Sequence, residues 1–287
     1  MRIAALTAGF AFFAGCALAQ TPGIQEIMTR VAEGQSRSLE ARRAFVYDQE
    51  ELLRMERGGK LLREERLNYT VTPSKGSAHK ELIRCEGKYE FHGKFVPYSQ
   101  PGYQYKDLDL DGEFLKEFEE STGESKARDG ISRDYFPLTA VEQAKYNFHL
   151  EGTETVRGRT VYRVRFEPKP RSGHHLDVDF AGDDDDATWK GVALIDAVEY
   201  QPVSVTTDLA AKVPLAVKVL LGTDIKGFGF SISYERFDDG VWFPVSFGGE
   251  FEIRGLFLYK RTISISLVNR NFRRADVNST VAFSSIE

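Results

Sequence analysis

The chain has 287 residues, of which 41% are hydrophobic and 28% charged, with a formal net charge of −5. That balance excludes an intrinsically disordered or collagen-like chain, and the acidic surplus leaves no electrostatic footprint for nucleic acid. Aromatic residues make up 12%, with 21 Phe and 12 Tyr against 2 Trp, a composition that suits strands better than helices.

The first segment reads as an address. Met1-Arg2 supplies a short positive region, Ile3 to Cys16 an uncharged, mostly apolar run, and Ala17-Leu18-Ala19 a small-x-small cleavage site. At roughly 15 residues the apolar run is short for a bilayer span of about 20. Residues 1–19 are therefore expected to be a signal peptide, and 20–287 a single exported domain in the periplasm. Phe13-Ala14-Gly15-Cys16 resembles a bacterial lipobox with Phe where Leu is usual. The alternative is thus an outer-membrane lipoprotein anchored at Cys16. No later stretch is long enough to cross a bilayer. Cys85 is the one cysteine sure to remain, so no internal disulfide can form, and it reads as a small strand hydrophobe.

Ile24 to Arg42 places Ile24, Ile27, Met28, Val31 and Leu39 at loose helical spacing, with Gly34 weakening the middle. Phe45 to Met55 and Leu61 to Val71 flank Gly58-Gly59, a hairpin signal. Within the second run Leu67, Tyr69 and Val71 share one face. His79 to Cys85 reads as a third strand.

The texture changes between 97 and 147. Positions 101–129 hold nine Asp/Glu against four Lys/Arg, and Thr139 to Lys145 suggests a short helix. This stretch is expected to be a polar, partly helical insertion whose charge is a solvated face.

The C-terminal half alternates with period two. Tyr162, Val164 and Phe166 oppose Arg163 and Arg165; Lys190 to Asp196 turns into Val203 to Thr207. Phe228, Phe230, Ile232 and Tyr234 oppose Gly229, Ser231, Ser233 and Glu235. Asp238-Asp239-Gly240 leads into Val241-Trp242-Phe243, and Pro244 marks an edge or a bulge. Ile263, Ile265 and Leu267 alternate with Thr262, Ser264 and Ser266. The expected fold is mainly β with α: a curved antiparallel sheet, or half-barrel, covered by helices.

Catalytic chemistry finds no purchase in the sequence. There is no HExxH, Gly-x-Ser-x-Gly, P-loop or dinucleotide-binding glycine run. His174-His175 beside Asp183 to Asp186 lacks turns to converge four consecutive acids. Asp107, Asp109 and Asp111 before Gly112 begin like a calcium loop, but Phe118 stands where the closing Glu is needed. No enzyme activity, metal or cofactor is expected.

Shape remains. A one-sided aromatic sheet that curls under an incomplete cover encloses an apolar cavity. Its candidate lining is Phe166, Phe228, Phe230, Ile232, Tyr234, Ile263 and Ile265, which fall on one face of their strands. Val213 to Leu221 is a candidate lid helix or a core-packed one.

Gly158-Arg159-Thr160-Val161-Tyr162-Arg163-Val164, then Trp189 to Asp196 with Tyr200-Gln201-Pro202-Val203, form a "strand, Ile-Asp, turn, aromatic-x-Pro, strand" hairpin. It resembles that of the LolA-like/LolB-like outer-membrane lipoprotein-sorting superfamily. Leu221-Gly222-Thr223 and the hairpin from Tyr234-Glu235-Arg236 to Gly240-Val241-Trp242-Phe243-Pro244-Val245 extend the likeness across roughly 24–275. The resemblance implies a half-barrel closed by helices around a cavity for acyl chains. It thereby implies a periplasmic carrier or chaperone for lipid or lipoprotein, with a possible membrane-associated acceptor protein. A non-catalytic envelope sensor or scaffold that binds a protein partner is the alternative. The 97–147 insertion is longer than in a typical carrier, and no individual functional residue carries over.

Overall fold

A computed structural model describes residues 22–73, 78–101, 138–170, 189–209, 224–226, 229–237, 240–255 and 259–275. The amino-terminal segment, Cys16, Val213 to Leu221, the acidic stretches and Phe228 lie outside them.

The chain enters through helix α1 (Ile24–Arg42), whose bounds match the sequence pattern. Ile27, Met28, Val31, Ala32, Gly34, Gln35, Ser38 and Arg42 are its buried positions, most of them recurring at intervals of three or four along one face. Strands β1 (Phe45–Arg57), β2 (Lys60–Pro73), β3 (Ala78–Phe91) and β4 (Lys94–Tyr98) follow as an antiparallel meander. After α2 (Ala140–Gln143) come β5 (Tyr146–Val156), β6 (Arg159–Pro168), β7 (Trp189–Asp196) and β8 (Pro202–Leu209). The last strands are β9 (Asp224–Lys226), β10 (Gly229–Arg236), β11 (Trp242–Gly255) and β12 (Tyr259–Arg274).

All join one open antiparallel sheet in the order β4-β3-β2-β1-β12-β11-β10-β8-β7-β6-β5, with β9 paired to β11. The first strand thus lies mid-sheet against the last: Met55 pairs with Ile263 and Phe45 with Arg274. The expected mainly-β fold with helices on a curved antiparallel sheet is the observed one.

Two details sharpen the sequence reading. The proposed insertion at 97–147 is trimmed at both ends, because β4 runs on to Tyr98 and β5 begins at Tyr146. Pro244 marks a bulge, not an edge: β11 is flanked by β10 and β12, and its register slips where Tyr234 faces Pro244.

Parity can be followed through ten of the twelve strands along one row. Leu150, Val164, Ala193, Val205, Ile232, Phe247, Leu267, Glu51, Leu67 and Cys85 are successive register partners over ten strands. Directly opposed residues point to the same side, so this row lies on one face, hereafter the inner face. α1 covers it over β5–β8 and β10: Ile27, Met28 and Val31 pack with Val164, Phe166, Ile195, Val205 and Ile232. The outer face is polar, with Glu64 bridging Arg54 and Lys88 and Arg163 between Glu151 and Glu154.

Candidate ligand-binding face

The motif that carries the family resemblance does structural work. Asp196 is 1% exposed, and its Oδ1 accepts from the backbone N–H groups of Val198 and Glu199 at 2.9 and 2.8 Å, fixing the β7–β8 turn. Its Oδ2 accepts from Arg159 Nη1 at 2.8 Å, a bond that holds the guanidinium above its ordinary pKa. Glu199 accepts from Trp242 Nε1 at 2.9 Å and pairs with Arg236. The same turn receives α1, where Gln35 Nε2 donates to Gln201 Oε1 at 2.8 Å. The hairpin is a docking point for the covering helix.

Phe166, Phe230, Ile232, Tyr234 and Ile263 are buried on the inner face. Phe166, Ile232 and Tyr234 belong to the cluster that α1 covers. Phe230 stacks on Phe247 at 5.0 Å and meets Trp189 edge-on at 5.4 Å. These rings lie over glycines: a Cβ on Gly191 would fall 2.9 Å from the Phe166 ring, and one on Gly249 2.8 Å from that of Phe230. A Cβ at either glycine would also strike neighbouring backbone, the Thr206 oxygen for Gly191 and the Gly229 oxygen for Gly249.

Ile265 stands apart, because it is only half-buried. Its register partner Leu53 is half-buried too, as are Glu51 and Tyr69 on the same face. The inner face therefore changes character at the β12–β1 seam. On the α1 side it is closed and apolar; on the β1–β2 side it is partly open and carries charge.

Sequence reasoning passed over that charged half. Arg63 and Glu65 project from inner positions of β2, with side chains 6% and 4% exposed. Arg63 Nη2 lies 3.4 Å from Glu65 Oε2, and its Nε donates to the Tyr98 hydroxyl at 3.0 Å. Burial pushes the Tyr98 phenol well above its ordinary range, and the Glu65 charge adds to this while Arg63 opposes it. Cys85 is raised by the same causes, burial first and Glu65 second. A second pair spans the face further along, where Lys80 Nζ reaches over the Tyr69 ring to Glu51 Oε1 at 2.8 Å. The signal was present in the sequence: extending the parity of Leu67, Tyr69 and Val71 backwards puts Glu65 and Arg63 inside.

Among the described residues no group of three or more His, Cys, Asp or Glu is placed to hold a metal ion, and no helix is long and apolar enough to cross a membrane. A surface cleft of about 280 Å³ lies between α1 and α2, lined by Thr29, Ala32, Glu33, Ser36, Ala140 and Gln143. None of the six expected lining residues that are described borders it.

No family model matches the sequence, and no curated protein matches it. Solved structures do. One is a candidate outer membrane lipoprotein-sorting protein domain from Vibrio parahaemolyticus, 13% identical, with 88% of this chain and 95% of that one covered and a TM-score of 0.39. A LolA superfamily protein from Nitrosomonas europaea is 11% identical, over 88% and 94% of the chains, at a TM-score of 0.34. The Mycobacterium tuberculosis lipoprotein LppX is 9% identical, over 87% and 96%, at 0.30.

Proposed function

We propose that this protein is a non-catalytic envelope carrier that holds lipid acyl chains against the inner face of its sheet. The observation that carries the reading is the half-buried apolar pair Ile265 and Leu53 at the centre of the sheet, beside the closed aromatic core of Phe166, Phe230, Ile232, Tyr234 and Ile263. Partly exposed apolar side chains at the middle of an inner face suit an apolar occupant, whose burial there recovers hydrophobic free energy. Cargo is a lipid acyl chain or the acyl part of a lipoprotein, and the setting is the periplasm. Release goes to a membrane-associated acceptor.

Native mass spectrometry of the purified chain is expected to show co-purified lipid, and a fluorescent fatty acid is expected to bind and be displaced by unlabelled fatty acid. Ile265→Glu, which puts a charge into the apolar opening, is expected to abolish that binding while leaving the circular dichroism spectrum intact. A wild-type protein that carries no lipid and leaves the probe unbound would refute the reading.

A further inference from the structure

We propose that the sheet end formed by the β1–β2 and β3–β4 turns docks on an anionic lipid bilayer surface. The two turns are neighbours: Lys60, opening β2, lies with its Nζ 3.7 Å from Glu90 Oε1 at the end of β3. Each is a tight glycine turn, Gly58 and Gly59 at φ 59° and 78° and Gly93 at φ 79°, so both project as narrow tips.

The β3–β4 tip carries two large apolar rings in water, Phe91 at 51% exposure and Phe95 at 48%. They point to opposite sides of the hairpin. Phe91 continues the inner-face parity of Gly87 and Tyr89. Phe95 pairs in register with Glu90, and the Lys88 ammonium lies 5.7 Å over its ring, on the outer face. A flat protein surface can cover one of these rings but not both, whereas a fluid interface takes in a wedge from two sides.

The charge around the rings selects the surface. Arg57, Lys60 and Lys94 are exposed at the two tips, and Lys60 shares its charge with Glu90. The nearby acids are already engaged, Glu56 with Arg54 and Glu90 with Lys60. The whole chain carries −5, so attraction to an anionic bilayer has to be local, and here it sits beside the exposed rings. Lysine stems of this length can lie along the interface while the ammonium reaches the headgroups.

The test is co-sedimentation of the full chain with phosphatidylcholine vesicles made with and without phosphatidylglycerol. Binding is expected to favour the anionic vesicles and to weaken as salt rises. Phe91→Ser/Phe95→Ser is expected to lower the partition constant about tenfold or more, and Lys60→Glu/Lys94→Glu to remove the preference for phosphatidylglycerol. Phe95→Trp supplies a direct readout. Trp189 and Trp242 are buried, so a blue shift of the added emission on mixing with vesicles reports the tip. Serine variants that sediment as the wild type does, or a tryptophan whose emission stays unshifted, overturn the proposal. Docking is independent of the carrier reading: the serine variant is expected to keep binding a fluorescent fatty acid.

Discussion

Gly34 of α1 lies against Gln201 of the β7–β8 turn: a Cβ there would fall 2.5 Å from Gln201 Nε2. The glycine that weakens the helix pattern in the sequence is thus a point of close approach between the helix and the β7–β8 turn. Alanine gains about 1 kcal/mol of helix propensity at such a position but must push aside an amide bonded to Gln35. A larger side chain cannot be accommodated without moving the helix. Gly34→Leu is expected to cost about 1–3 kcal/mol, read as a lower urea midpoint at unchanged slope.

The Arg63–Glu65 pair is expected to behave as a buried ion pair does. Arg63→Met leaves the Glu65 carboxylate buried and is expected to destabilise by about 3–5 kcal/mol. Arg63→Met/Glu65→Leu removes both charges and is expected to regain most of that loss. The check is the coupling energy from a double-mutant cycle on unfolding curves. Additive single losses would show that the two side chains do not act as a unit.

Alkaline pH is expected to weaken the fold through Cys85 and Tyr98. Their ordinary values are 9.0 and 10.0, and both are raised in the folded state. Above pH 9 the unfolded chain therefore holds fewer protons at these sites than the folded one, and stability falls as pH rises. Well below pH 9 both groups are protonated in either state and contribute no slope. The urea midpoint should drop above pH 9, and Tyr98→Phe should flatten part of that drop. In the folded protein at neutral pH the Cys85 thiol should alkylate slowly, and quickly once denaturant is added.

Phe166 and Ile265 lie on one face yet should respond differently to truncation. Phe166 is 1% exposed within the α1-covered cluster, so Phe166→Ala is expected to cost about 3–5 kcal/mol. Ile265 is half-buried, and Ile265→Ala should cost distinctly less stability while weakening binding of a fluorescent fatty acid. Equal destabilisation by the two, with probe binding unchanged, would mark Ile265 as ordinary core.

Much of this fold is legible in the sequence because its strands are one-sided. Alternation in β6, β10 and β12 places Phe166, Ile232 and Ile263 inside, and Gly58-Gly59 marks the first hairpin. The outermost strands are harder to read. β4 has five residues with Pro97 among them, and β5 exposes all of Glu151 to Thr155 with Gly152 at φ 147°, so neither alternates cleanly. Arg63 and Glu65 were obscured because charge at an inner position breaks the hydrophobic period. The partial opening at Ile265 has no sequence signal at all, since a half-covered isoleucine and a fully covered one are the same letter.

The placement of β1 against β12 has a consequence for how the chain comes together. Gln49 and Asn269, whose side chains bond at 3.0 Å, are 220 positions apart. The two meanders can zip from local turns, but the seam between them closes a loop spanning most of the sequence, and such closure is entropically costly and slow. A polypeptide emerging from its amino end, whether from a ribosome or across a membrane, cannot complete the centre of this sheet until its last strand has arrived. Until then the inner edge of β1, including Leu53, waits without its partner.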